Sequence, residues 1–181
     1  MMEKHFLPNK SCKGLTITEL LVSIFITSAI VVLAIPHFSS LIANLESKKT
    51  ITFINTVLND SKHRAFIHHD RIAICGSHDQ ISCSDDGWST GLLVFIDQKS
   101  PDRIRQSEET ILHYYALNLK HGSLSWKGAA GRNLVFQSDS GLPRGSQGSF
   151  FYCANDAVNS RRLILSYMGN TRHETIQQCE D

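Results

Sequence analysis

An uncharged apolar stretch near the N-terminus is the strongest pattern in the chain. Residues 20–35 contain no charged side chain, and extending the stretch back to Leu15 adds only Glu19. Because a helix rises about 1.5 Å per residue, these roughly 21 residues span about 30 Å, the thickness of a bilayer's hydrocarbon core. The pattern predicts a transmembrane helix over residues 15–36.

A helical repeat of apolar residues continues beyond this stretch. Between residues 37 and 70 they recur at steps of three and four, with charged and amide side chains largely between them. We therefore expect an amphipathic helix to continue over residues 37–70, to end near residues 68–70, and to pack its apolar stripe into a core. The stripe consists of Phe38, Leu41, Ile42, Leu45, Ile54, Val57, Leu58 and Ala65.

The rest of the chain consists of short extended runs separated by turn sequences such as 85–87, 140–143 and 168–170. No second helical repeat lies between them. This order predicts an α+β fold, with the long N-terminal helix packed on a mostly antiparallel β-sheet in a domain of residues 71–181. The predicted strands are 71–75, 92–96, 110–115, 124–126, 134–136, 149–153 and 162–166.

The charges that precede the apolar stretch predict its orientation. Lys4, Lys10 and Lys13 precede it, whereas Glu3 is the only acidic residue before Glu19. Cationic residues stay on the cytoplasmic side, so the bulk of the chain is expected to lie across the membrane. A cleavable secretory signal is the alternative, but residues 34–37 offer a poor cleavage site.

Glu19 is unusual because an acidic residue is costly inside a membrane and normally has a partner. The surrounding sequence Lys-Gly-Leu-Thr-Ile-Thr-Glu-Leu, residues 13–20, resembles the processing site of type IV pilins and of the pseudopilins of type II secretion. The resemblance implies a leader of residues 1–14, cleaved by prepilin peptidase between Gly14 and Leu15, and N-methylation of Leu15. Residues Leu15 and Thr18 depart from the usual Phe and aliphatic residue of this site.

The same resemblance implies roles for two residues of the helix. Glu19 is expected to pair with the N-terminal amine of a neighbouring subunit during filament assembly, which offsets the cost of burying both charges. Pro36 falls where pilins carry a helix-kinking proline. A type IV pilin-like fold and partners among the other pilins or pseudopilins of a filament follow from this resemblance.

The cysteines agree with an exported domain. Cys12 lies in the predicted leader, which leaves Cys75, Cys83, Cys153 and Cys179, an even set that favours disulfides in the periplasm. Three pairings are possible; proximity in sequence favours joining the first two cysteines, which leaves the last two for each other. A metal site is the alternative, with nearby ligands His68, His69, His78 and Asp79, although a spacing of eight does not fit structural zinc.

Segments in the rest of the chain narrow the resemblance to one group of these proteins. Residues 75–97, 135–141 and 153–169 are similar to the FimT/GspH group of minor pseudopilins over nearly the whole mature chain. The resemblance implies a structural subunit at or near the tip of a type II secretion pseudopilus or a type IV pilus. Before assembly, it implies an inner-membrane protein with a cytoplasmic N-terminus and a periplasmic domain.

Charge is unevenly distributed in a chain with 18 basic and 17 acidic residues. Residues 76–119 contain three Lys or Arg against seven Asp or Glu, a balance of −4, whereas residues 120–173 contain seven against two, a balance of +5. Clustered cations bind nucleic-acid phosphates regardless of the net charge of the protein. A basic surface toward the C-terminus is therefore predicted, with an ordinary solvated surface as the alternative.

An alternative function follows from the FimT likeness. FimT-like minor pilins bind double-stranded DNA during natural transformation through a Gly-Arg-x-Arg motif, and this chain has Gly169-Asn170-Thr171-Arg172. The resemblance carries over to Gly169 and Arg172, and the adjacent Arg161 and Arg162 are further candidates. Because no catalytic motif or phosphate-binding loop is present, the sequence predicts a non-enzymatic protein without a cofactor or metal.

Overall fold

The computed structural model describes residue 14 and residues 16–98, 109–129, 131, 133–155 and 158–179, with only the backbone described for residues 33–37. The predicted leader up to Lys13 and the predicted first mature residue, Leu15, lie outside this part of the chain. The chain divides into two compact units, residues 1–39 and residues 40–181.

One long helix, α1, runs from Ile17 to His68 and contains Pro36. The helix ends within the predicted range of residues 68–70. The next residue, His69, has a φ of 57°, the left-handed conformation that commonly follows a helix C-terminus. In the part of the chain that the structure describes, no helix combines the length and apolar character needed to cross a bilayer.

Eight strands form two antiparallel four-stranded sheets, so the domain has two sheets rather than the one expected. The first has the order β3-β2-β1-β5 and the second β4-β6-β7-β8. A short 3₁₀ turn, Gly87–Ser89, precedes β2. The strands are β1 Ile72–Gly76, β2 Gly91–Ile96, β3 Ile111–Ala116, β4 Gly122–Gly128, β5 Leu134–Phe136, β6 Gly148–Ala154, β7 Arg161–Leu165 and β8 Thr171–Thr175.

All seven predicted strands are confirmed, but the sequence did not indicate β8. Its sequence, Thr-Arg-His-Glu-Thr, contains no apolar residue, and it lies at the edge of the second sheet, paired only with β7 among the described strands. Polar and charged residues are common on edge strands because they discourage pairing with other chains. Apolar alternation therefore could not reveal this strand.

The core forms where both sheets meet α1. Ile51, Ile54, Val57, Leu58 and Ala65 of the helix are buried against residues of both sheets. A smaller cluster lies on the other face of the first sheet, and it consists of Ala73, Cys75, Leu93, Phe95 and Val135. The first sheet is therefore apolar on both faces, which explains its continuous runs of buried residues.

The predicted apolar stripe of the helix is correct only in its C-terminal part. Phe38, Leu41 and Leu45 are each more than half exposed, contrary to expectation. The buried stripe instead begins with Ala43, Ser47, Thr50 and Ile51, which lead at three- and four-residue steps to the correctly predicted Ile54. The Ser47 hydroxyl donates a 2.6 Å hydrogen bond to the carbonyl of Asn159, which allows this polar residue to be buried.

Two disulfides confirm the favoured pairing of the cysteines. Cys75 of β1 is bonded to Cys83, with 5.6 Å between their Cα atoms, and Cys153 of β6 is bonded to Cys179, with 5.9 Å between theirs. The second bond ties the C-terminal tail to the second sheet. Because all four cysteines form disulfides, none is available for the alternative metal site.

Candidate functional site

The first turns of α1 present an exposed and largely apolar surface. All residues described from 16 to 32 are exposed, including ten large apolar side chains that are each more than half exposed. Surface helices of soluble domains normally carry a broad charged face, whereas residues 20–32 contain no charged side chain and only three hydroxyls. The ten are Ile17, Leu20, Leu21, Val22, Ile24, Phe25, Ile26, Ile30, Val31 and Val32.

The few polar side chains of this segment are satisfied within the helix. Hydroxyls of Ser23, Thr27 and Ser28 donate hydrogen bonds of 2.8–2.9 Å to carbonyls three or four residues earlier. Such bonds leave no hydroxyl donor unsatisfied when the helix surface is removed from water. The segment is therefore compatible with an apolar environment around its whole circumference.

Glu19 has partners inside its own chain. The Thr16 N–H donates to Glu19 Oε2 at 2.8 Å, and the Glu19 N–H donates to the Thr16 hydroxyl oxygen at 3.3 Å. This reciprocal arrangement is a capping box, which satisfies N–H groups left free at a helix start. The Thr-x-x-Glu spacing is visible in the sequence, whereas the resemblance to pilins implies only a partner in another subunit.

The other predicted residues of the N-terminal region remain predictions. Cleavage after Gly14 and methylation of Leu15 involve residues at or beyond the edge of the described chain. Pro36 lies within α1, but the structure describes only its backbone, so the predicted kink also stays a prediction.

The two adjacent arginines of β7 lie on opposite faces of the second sheet. Leu163 and Leu165 belong to the core, so strand alternation places Arg161 on the helix-facing side and Arg162 on the outer side. Arg161 donates a 3.2 Å hydrogen bond to Asn44 Oδ1 on α1. A single surface containing both arginines is therefore ruled out.

The outer face of the second sheet carries three cations, two of which lie over one aromatic ring. The Lys127 Nζ lies 5.6 Å, and the Arg162 Cζ 5.1 Å, from the centroid of the Phe151 ring. Arg172 follows on β8, and Glu174 lies 3.6 Å from Arg162 and 3.8 Å from Arg172. We call Lys127, Phe151, Arg162 and Arg172 the outer basic face; Glu174 is the acidic residue paired with it.

Gly169 is a buried turn residue and does not contribute to a DNA-binding surface. It is buried in the turn between β7 and β8 with a φ of 72°, and its N–H donates to the Ser166 carbonyl at 2.9 Å. A β-carbon there would lie 3.2 Å from Lys62 Nζ and 3.3 Å from Pro143 Cδ. Of the four-residue motif, only Arg172 presents a cation, and its side chain is 76 % exposed.

Other charged residues of the basic C-terminal part serve the fold. Arg144 forms an ion pair with Asp139 and lowers the pKa of that carboxyl. Lys120 donates its backbone N–H to the carboxylate of Glu46 on α1. Arg132, which contributes to the charge count, lies outside the described residues. The +5 balance of residues 120–173 therefore does not correspond to one continuous surface.

Glu46 joins the helix to the loop that leads into β4. Its carboxylate accepts hydrogen bonds from the His121 N–H at 2.9 Å, the Tyr152 hydroxyl at 2.8 Å and the Lys120 N–H at 3.1 Å. Partial burial opposes ionisation, but these hydrogen bonds together hold the pKa of Glu46 below its ordinary value. The sequence carries no local signal for this role, because the partners of Glu46 lie 74–106 residues away.

No group of three or more His, Cys, Asp or Glu among the described residues is arranged to hold a metal ion. His78 lies within 3.1 Å of Asp86 and 2.9 Å of the Thr90 hydroxyl. These contacts connect the disulfide-closed loop between β1 and β2 to the start of β2, which is a structural role.

Neither a protein-family model nor a curated protein sequence matches the chain. Two crystal structures of the type IV minor pilin FimU of Pseudomonas aeruginosa are similar to it. One matches at 20 % identity with a TM-score of 0.53, covering 71 % of this chain and 88 % of that one. The other matches at 19 % identity with a TM-score of 0.51, covering 70 % and 91 %. The chain therefore has the expected type IV pilin-like fold.

Proposed function

We propose that the chain is a minor pilin-like structural subunit of a filament, either a type IV pilus or a type II secretion pseudopilus. The observation that carries this proposal is the change of surroundings along α1. The helix is exposed and free of charged side chains over residues 20–32, and from Ala43 onward it is the central core element of a domain with a minor-pilin fold.

The apolar part of the helix suits two successive environments. Before assembly, residues 15–36 anchor the subunit in the inner membrane, with a cytoplasmic N-terminus and the folded domain in the periplasm. After assembly, the same surface packs among the helices of neighbouring subunits. In either place, removing the exposed apolar side chains from water is favourable by about 25 cal/mol per Å².

Processing prepares the helix for assembly in this proposal. Prepilin peptidase cleaves after Gly14 and methylates Leu15, and Glu19 then pairs with the new amine of an adjacent subunit. The capping box between Thr16 and Glu19 gives this carboxylate hydrogen-bond donors until that partner arrives. Glu19 thus exchanges an internal partner for an external one.

Co-expression with a prepilin peptidase tests the processing step. Mass spectrometry of the purified chain is expected to show an N-terminus at Leu15 that carries one methyl group. Gly14→Ala is expected to leave the leader attached, whereas Glu19→Ala is expected to be cleaved. An intact leader on the unmodified chain, or cleavage near Ala34, would contradict the proposal.

DNA binding is a second candidate function, and the outer basic face favours it. Three cations and an aromatic ring share one side of the second sheet, opposed among the described residues of that face by Glu174. Such a surface attracts phosphates through counterion release. This candidate retains Arg162 and Arg172 from the sequence analysis and adds Lys127.

A titration of the full chain in detergent micelles with duplex DNA, at two salt concentrations, tests this candidate. Arg162→Ala and Arg172→Ala are each expected to weaken binding and to flatten the salt dependence by about one per lost phosphate contact. Arg161→Ala, on the opposite face of the same strand, is the matched control. Equal losses for Arg161→Ala and Arg162→Ala would remove the outer basic face from the explanation.

A further inference from the structure

A groove between α1 and the last two strands carries positive charge that the functions above do not use. It has a volume of about 440 Å³ and contains no acidic residue among those that line it. We call it the α1–β8 groove. It is lined by Lys48, Ile51, Thr52, Asn55, Arg161, Leu163 and His173.

The position of Arg161 in this groove is fixed from two sides. Its backbone pairs with Tyr152 of β6 and Thr175 of β8, and its guanidinium donates to Asn44 on the helix. A guanidinium has five N–H donors, of which only one has a hydrogen-bond acceptor among the described residues. The Nε atom is buried without a hydrogen-bond partner in this part of the chain.

Arg161 differs from the other described arginines of the sheets and their loops in having no carboxylate partner. Arg71 pairs with Asp97, Arg144 with Asp139, and both Arg162 and Arg172 with Glu174. Arg161 has no carboxylate partner among the described residues, although it is half-buried. The nearby Lys48 adds to the positive potential, and buried Ile51 and Leu163 form an apolar floor.

We propose that the α1–β8 groove binds a carboxylate from an acidic side chain of a neighbouring filament subunit. The charge complementarity is specific, because a planar guanidinium fork matches a carboxylate in two parallel hydrogen bonds, and the lysine adds a second cation. The groove runs beside α1, the element along which subunits pack in the proposed filament. This inference therefore rests on the proposed function and names one contact of the assembly.

The chain itself carries surfaces of the matching sign. Asp79, Asp85 and Asp86 are exposed in the loop between β1 and β2. Hydrogen bonds from Ser82 lower the pKa of Asp79, and a hydrogen bond from Ser84 lowers that of Asp86, so both are ionised near neutral pH. An acidic loop of this kind on an adjacent subunit has the chemistry that the groove requires.

Binding of small anions to the full chain in detergent micelles tests the chemistry of the groove. The Nε–H signals of ¹⁵N-labelled arginine are followed by NMR during titration with acetate, inorganic phosphate or chloride at constant ionic strength. Acetate is expected to shift the Arg161 signal saturably, and Lys48→Gln is expected to weaken this binding by about threefold. Arg172→Gln, on the outer basic face, is expected to leave it unchanged.

Two outcomes of this titration would overturn the proposal. An Arg161 signal that responds to acetate no more than the Arg172 signal does would remove the site. A saturable response to phosphate without one to acetate would exclude a carboxylate as the ligand. Because Lys48 is exposed, its substitution also tests the groove without disturbing the core.

Filament incorporation tests the partner. Arg161→Gln and Lys48→Gln are expected to lower the amount of processed chain in sheared filaments, and Arg161→Lys is expected to restore part of it. If the unmodified chain enters filaments and both Gln variants enter equally well, the groove is not an assembly contact, while the proposed function stands. Absence of the unmodified chain from filaments would contradict the proposed function, on which the groove contact depends.

Discussion

The two halves of α1 differ in composition and have opposite surroundings: residues 17–32 contain 11 apolar residues of 16, whereas residues 43–65 contain 8 of 23. Over residues 17–32 every described side chain is exposed, and the hydroxyls bond only to the helix itself. Over residues 43–65 one stripe is buried, and a polar member of that stripe, Ser47, donates a hydrogen bond to the distant Asn159. One helix therefore combines a segment that needs an external apolar environment with a segment that stabilises its own domain.

Matched isoleucines test this contrast with the largest expected effect. Ile54 is fully buried, whereas Ile24 is 56 % exposed. Ile54→Ala is expected to lower the free energy of unfolding of the domain by about 2–5 kcal/mol, because it removes core contacts and leaves a cavity. Ile24→Ala is expected to change it by less than about 0.5 kcal/mol.

Urea unfolding of the full chain in detergent micelles, followed by tryptophan fluorescence, measures both values, since Trp88 is buried in the same core. Equal losses for the two variants would show that the N-terminal half of α1 stabilises the domain as much as the C-terminal half does.

Two glutamates provide the next comparison. Glu46 accepts hydrogen bonds from a loop and from β6, whereas Glu19 accepts them from the adjacent helix start. Near neutral pH, Glu46→Gln is expected to cost the domain about 1–2 kcal/mol, because charge-assisted hydrogen bonds are lost. Glu19→Gln is expected to leave the stability of the domain unchanged and to reduce filament incorporation.

The contribution of Glu46 is also expected to depend on pH. Its pKa is lower in the folded chain than in the unfolded one, so its stabilisation is fully present above the unfolded pKa and is lost as the pH falls through the folded pKa. The stability difference between the unmodified chain and Glu46→Gln is therefore expected to shrink below about pH 4. A difference that stays constant between neutral and acidic pH would assign the effect to packing instead.

Matched serines give the smallest expected effect. Ser47 donates across the domain to Asn159, and Ser23 donates to Leu20 within the helix. Ser47→Ala is expected to lower the free energy of unfolding by about 1 kcal/mol, because a buried hydrogen bond is lost. Ser23→Ala is expected to have no measurable effect, and the same urea titrations distinguish the two.

The features that the sequence predicted well depend on local patterns. The helix end, seven strands and both disulfides follow from apolar periodicity, turn residues and cysteine spacing, each of which acts within a short segment. The pairing of the strands could not be predicted, because the alternation of apolar and polar residues does not determine which strands pair. One sheet was therefore expected where the structure has two.

The features that the sequence missed depend on contacts between distant segments. Ser47 and Thr50 are polar residues in a buried stripe, and β8 has no apolar residue at all. Glu46 acquires its role from Lys120, His121 and Tyr152, which are 74–106 residues away. Arg161 and Arg162 are adjacent in sequence, yet strand geometry separates them into a helix-facing groove and an outer face.

The presence of the chain in purified filaments tests the central claim most directly. Filaments sheared from cells that express the chain at its natural level are separated and analysed by mass spectrometry. The account predicts a peptide that begins at methylated Leu15 in the filament fraction, and its loss from that fraction when Glu19 is replaced by Ala. A processed chain that remains entirely in the membrane fraction, with filaments present and intact, would contradict the account.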